Sequence, residues 1–191
     1  MKADPKKQYE IDMCNGPILK KMLVFAIPLM LSSMLQLLFN AVDVIVVGRF
    51  AGDKSLGAVG STTSLINLLV NFFIGVSIGV NVLVSKYRAA EKEKQVRETV
   101  HTAMAIATIG GLLLSIIGIT LAPIILRMMD TPKEILGLAT VYVRTYFLGT
   151  TATILYNFGA AILRAVGDTK RPMSYLIVAG IVNVVFNLFF V

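Results

Sequence analysis

The chain has 191 residues, 56% of them hydrophobic and only 15% charged, with a mean hydropathy of +0.78. Soluble domains carry about 25% charge, so this composition excludes a soluble enzyme or binding module and points to an integral membrane protein. The net charge of +7 would suggest nucleic acid in a soluble chain; here the basic residues flank apolar runs and read as topology signals, with no nucleic-acid partner.

Residues 1–17 are polar and read as a cytoplasmic amino-terminal segment. They contain no apolar stretch of the kind a cleavable signal needs. The single cysteine, Cys14, permits no internal disulfide and reads as a free cytoplasmic thiol. The remainder, 18–191, reads as transmembrane helices over about 18–50, 56–85, 98–129, 133–164 and 172–191. Alternating ten-residue strands are absent, so a closed barrel is excluded. Helices remain, because lipid offers the backbone no partners.

In helix 1, Met22 to Val47 is an apolar run of 26 residues, against the ~20 that span a bilayer. Asp43 is its only acidic residue. A carboxylate there costs a few kcal/mol, so such residues commonly relay protons or cations or oppose a ligand's charge. Ser32, Gln36, Asn40 and Asp43 are spaced four, four and three, which places them on one helix face. Pro28 lacks an N–H and marks a bending point below that face.

Helix 2 carries Ser64, Asn67 and Asn71 in one stripe, continued by Gly75 and Gly79. That G-x-x-x-G reads as tight helix packing. Helix 3 has only scattered Thr108, Ser115 and Thr120 and reads as lipid-facing. Helix 4 lines up Tyr142, Tyr146, Thr153 and Asn157. Its Arg144 is the one basic residue inside a predicted span and is expected to snorkel to the outer interface. Helix 5 lines up Gly180, Asn183 and Asn187, then ends apolar at Val191. With no polar flank closing it, the chain reads as the first part of a longer protein, truncated in helix 5.

Thirteen of the eighteen basic residues lie in the amino-terminal flank, the second linker and the fourth linker; the first and third linkers hold four. The positive-inside rule then puts the amino terminus, second linker and fourth linker in the cytoplasm. Four polar stripes and one buried acid suggest a polar cavity shared by helices 1, 2, 4 and 5. Asp43 lies 22 residues from Lys21, or ~33 Å of helix. Tyr142 lies 22 residues before Arg164, at a similar height. Asn187 follows Arg171 by 16 residues, or ~24 Å. An Asp43–Tyr142–Asn187 cluster in the outer half is therefore geometrically allowed.

Enzyme signals fail. Gly48 to Ser55 glances at a phosphate loop, but Asp53 stands where that loop needs glycine before lysine. One histidine, His101, one cysteine and one intramembrane acid assemble neither a catalytic triad nor a metal site.

The chain resembles the multidrug and toxic compound extrusion (MATE) family of secondary transporters. The resemblance rests on Ile27-Pro28, on Asn40-Ala-Val-Asp43-Val-Ile-Val-Val-Gly48, and on Leu56-Gly-Ala-Val-Gly60. It rests most specifically on Leu163-Arg-Ala-Val-Gly-Asp168-Thr-Lys-Arg-Pro-Met173, with Asn183 and Asn187 after it. It implies twelve helices in two six-helix lobes, of which this all-α chain would hold about five, with the carboxy-terminal lobe missing. It implies a multi-pass inner (plasma) membrane protein, not an enzyme. Its activity would be export of cationic or amphipathic small molecules by antiport against protons or sodium, without cofactor. It carries the coupling role to Asp43, the polar network to Gln36, Tyr142, Asn157, Asn183 and Asn187, and the bend to Pro28. The stripes add Asn40 and Tyr146. Some members have a second acid where this chain has Asn187.

Two other readings fit less well. A flippase for lipid-linked saccharides shares this architecture, but would need several cavity arginines for pyrophosphate, and only Arg144 qualifies. A non-transporting membrane subunit would not need an aligned stripe ending in a buried acid.

Overall fold

The computed structural model describes Ile11 and residues 17–190. Cys14, most of the amino-terminal segment and Val191 lie outside the described residues. Five helices follow in order: α1 (Ile18–Val46), α2 (Gly52–Ala89), α3 (Glu93–Met128), α4 (Lys133–Ala165) and α5 (Lys170–Phe190). No strand occurs among the described residues. Four of the helices, α1 through α4, are long and apolar enough to cross a membrane.

The first linker all but vanishes. A π-helical turn, Val47–Ala51, follows α1 directly, and α2 begins at Gly52. Gly52 has φ of 80°, a left-handed value that glycine adopts without steric penalty. Asp53 opens α2, where a negative charge complements the helix dipole. Charged flanks also stay helical past the apolar runs, so α2 reaches Ala89 and α3 starts at Glu93.

Three helices end in the same way. Lys92 N–H donates to the Tyr87 carbonyl, Thr131 to Leu126 and Asp168 to Leu163, at 2.9, 3.1 and 2.9 Å. The residue between is left-handed each time: Glu91, Asp130 and Gly167. This is the Schellman arrangement, which satisfies helix-end carbonyls. At Gly167 a side chain has no room, because its Cβ would lie 2.6 Å from the carbonyl oxygen of Ile11. Ile11 N–H donates back to the Gly167 carbonyl at 3.3 Å.

The core lies between α2, α3 and α4, around the fully buried Val84, Leu126, Val143, Phe147, Ile154 and Phe158. Helix α3 was expected to face lipid; instead one face of it is the most intimate partner of α4. Ala103, Ala107, Gly111, Ser115, Gly118 and Ala122 run down that face, all buried. Phe147 lies against Gly118, and the Thr151 Cα comes to 3.0 Å of where a Gly111 Cβ would be. Small residues let helix backbones approach closely in lipid. Ser115 and Thr151 hydroxyls bond across the seam at 3.0 Å.

Polar links tie the bundle further. Asn81 Nδ2 donates to the Ala161 carbonyl at 2.7 Å, joining α2 to α4. Tyr156 donates to the Pro172 carbonyl at 3.0 Å, joining α4 to α5. Arg144 is exposed, yet its Nε donates to the Ile119 carbonyl of α3 at 3.0 Å. That carbonyl is the one whose helical donor would be residue 123, a proline with no N–H. Arg144 therefore does more than reach for water: it supplies the missing donor. Asp168 caps α5, its Oδ1 accepting from Lys170 and Arg171 N–H at 3.2 and 3.1 Å. Its Oδ2 pairs with Arg171 Nε at 3.2 Å.

Helix α1 stands apart from this core and pairs with α5. Phe39 of α1 fills the space over Gly180 of α5, where no Cβ fits. Large apolar residues cover the outside of all five helices, which suits a lipid solvent.

Candidate functional site

The site grows from the α1–α5 pair. Phe39 meets Gly180, and further along both helices Asp43 meets Asn187, so the two run in the same direction. Asp43 follows Phe39 by one turn, and Asn183 and Asn187 lie one and two turns past Gly180. The bare glycine brings α5 close enough for its amides to reach the acid.

Asn187 Nδ2 donates to Asp43 Oδ1. The same amide nitrogen donates to Asn183 Oδ1 at 3.3 Å. Asn187 thus uses both N–H groups, one on the carboxylate and one on its neighbour. Tyr142 of α4, half-buried, lies within electrostatic reach of Asp43 and of Tyr146 one turn on. Asp43, Asn187 and Asn183 form one hydrogen-bonded cluster between α1 and α5.

The other expected site residues lie elsewhere. Gln36 and Asn40 are exposed on α1. The Ser32 hydroxyl donates to the Pro28 carbonyl at 2.7 Å, so it is turned into its own helix beside the proline. Asn157 is half-buried and donates to the Thr153 carbonyl at 3.0 Å. It lies fifteen residues beyond Tyr142 on α4, or about 22 Å away along the axis. The helix-2 stripe, Ser64, Asn67 and Asn71, is exposed. A Cβ at Gly75 or Gly79 would meet nothing within 4 Å, so neither glycine is a packing contact here.

Asn157 instead lines a cleft with Phe25 and Leu29 of α1, Ser77 and Asn81 of α2, and Arg164 of α4. Asn81 and Arg164 were not singled out as site residues in the sequence. Asn81 breaks an apolar run and could have drawn attention; Arg164 reads as an ordinary helix-end cation. Among the described residues, no group of three or more His, Cys, Asp or Glu side chains is placed to hold a metal ion.

Together these features define a polytopic helical membrane bundle with an intramembrane carboxylate held by an amide between α1 and α5. The chain matches the family model MatE over residues 28–189 and belongs to that family. It is 32% identical over 165 residues to the probable multidrug resistance protein YoeA of Bacillus subtilis (strain 168), covering 86% of this chain and 36% of that protein. It is 27% identical over 180 residues to the probable multidrug resistance protein YpnP of the same organism, covering 94% and 40%. It superimposes on the crystal structure of MATE in the bent conformation with a TM-score of 0.84 at 24% identity, covering 92% of this chain and 39% of the other. The chain thus spans about 40% of the length of the curated relatives it matches.

Proposed function

We propose that this chain forms most of the first lobe of a two-lobe secondary transporter that exports cationic or amphipathic small molecules by antiport against protons or sodium. The lobe sits in the plasma membrane with its amino terminus in the cytoplasm. The observation that carries the reading is the Asp43 carboxylate, held by Asn187 within the α1–α5 pair.

The chemistry follows from the donor set. An ionised carboxylate only accepts hydrogen bonds, whereas a protonated one donates one. Asn187 serves both states, offering Nδ2 to the charged acid and, after an amide flip, Oδ1 to the protonated one. A sodium ion would find oxygen ligands in the same place, from the carboxylate and the two amide carbonyls. In either case the incoming cation removes the charge that attracts a cationic substrate. Binding of one then weakens binding of the other, which antiport requires. Gln36, Asn40 and Asn157 are assigned to the substrate path and Pro28 to the bend of α1.

Asp43→Asn in the two-lobe protein tests this. Gradient-driven export of a cationic dye from cells should vanish while membrane expression stays normal. Wild-type export by that variant would refute the assignment.

A further inference from the structure

A second site lies at the other end of the lobe. The cleft between α1, α2 and α4 has a volume of about 270 Å³, room for about nine water-sized groups. Its α4 wall runs from Asn157 to Arg164, which is in the last turn of that helix. The Arg164 Nε is buried and has no hydrogen-bond partner. That nitrogen has almost no accessible surface, so an occupant would meet the rest of the Arg164 side chain, which lines the cleft.

The surroundings define that occupant. Asn81 and Asn157 line the cleft too; each gives one amide N–H to a carbonyl of α4, and an amide has two. No acidic residue lines the cleft. The α1 wall is apolar, with Phe25 and Leu29. Donors and positive charge therefore sit beside an apolar wall, the reverse of the Asp43 neighbourhood.

We propose that this cleft binds an amphipathic anion, with a carboxylate or phosphate head against Arg164, Asn81 and Asn157 and its apolar chain along Phe25 and Leu29. The site is separate from Asp43, which lies beside the other end of α4, and it shares Asn157 with the substrate path proposed above. The occupant is either a lipid head group or a free amphipathic acid.

The test uses the full chain in phosphatidylcholine nanodiscs with photoactivatable palmitate, mapping the labelled residues by mass spectrometry. Labels should fall on Phe25, Leu29 and their neighbours in the cleft. A matched photoactivatable hexadecylamine should label the cleft about tenfold less, the size of a lost charge-assisted bond. Arg164→Gln should lower palmitate labelling by a similar factor. Equal labelling by the amine, or palmitate labels confined to outward-facing residues such as Leu68 and Leu112, would overturn the proposal. The amine comparison needs no variant, so it decides even if Arg164→Gln fails to fold. Adding phosphatidylglycerol separates the sources: displacement of palmitate identifies the lipid head group, and its retention identifies a free acid.

Discussion

Gly180→Ala should disable Asp43 without touching it. In the native arrangement the nearest ring carbons of Phe39 occupy the place of the missing Cβ; even Cδ2 is 2.5 Å from it. Carbon atoms pack at about 3.5–4.0 Å. The nearest ring carbons are closer still, so the two helices must part by roughly 1.5 Å to restore ordinary packing, or Phe39 must leave its rotamer. Parting by that amount takes the Asn187–Asp43 hydrogen bond outside its working range of about 2.7–3.2 Å. A hydrogen bond to a charged group contributes about 1.5–3 kcal/mol, so its loss should shift the ion dependence of export roughly tenfold to a hundredfold, toward tighter binding for a proton, because the bond favours the charged acid, and toward weaker binding for sodium. Overpacking adds about 1–3 kcal/mol of destabilisation. The assay is the ion-concentration dependence of dye export by the two-lobe protein, with thermal unfolding alongside. Phe39→Ala in the same background should restore both, because it empties the space the new methyl needs. A Gly180→Ala variant with native ion dependence, or one that Phe39→Ala fails to rescue, would refute the steric argument.

Three further outcomes are expected. Asp168→Ala removes the cap of α5 and the partner of Arg171, and should lower the stability of the bundle by about 1–2 kcal/mol, read as a drop in unfolding midpoint; Asp168→Asn, which keeps the capping oxygen, should lose less. A cysteine placed at Asp53 should react with an impermeant thiol reagent in intact cells and one at Glu93 should not, the reverse pattern overturning the orientation. Vesicles holding residues 1–191 alone should show no gradient-driven drug uptake, and saturable, ionophore-sensitive uptake would point to a small oligomeric transporter instead.

The helical class and the Asp43–Asn187 pairing were legible because both rest on strong one-dimensional signals. A lone acid in an apolar run stands out, and three-and-four spacing puts Asn183 and Asn187 on one face. Height and partner were harder to read. Tyr142 and Asn157 share a stripe on α4 yet stand about 22 Å apart, because periodicity fixes a direction around the axis and nothing along it. Ser64, Asn67 and Asn71 also form a true stripe, but a stripe does not say whether its partner lies in the same chain. Helix α3 was misjudged because alanine and glycine carry little polarity. Its seam against Phe147 and Thr151 depends on the absence of side chains, which polar-residue patterns do not register.

Pro123 and Arg144 have a consequence for how such a chain changes over generations. The proline leaves the Ile119 carbonyl without its helical donor, and the arginine supplies one from another helix. Alanine at 123 would return the N–H and leave the guanidinium without its acceptor, while glutamine at 144 would strand the carbonyl. Each residue is tolerable because the other is present. The two positions should therefore be inherited as a unit: lineages that lose the proline are released to lose the arginine, and those that keep one keep both.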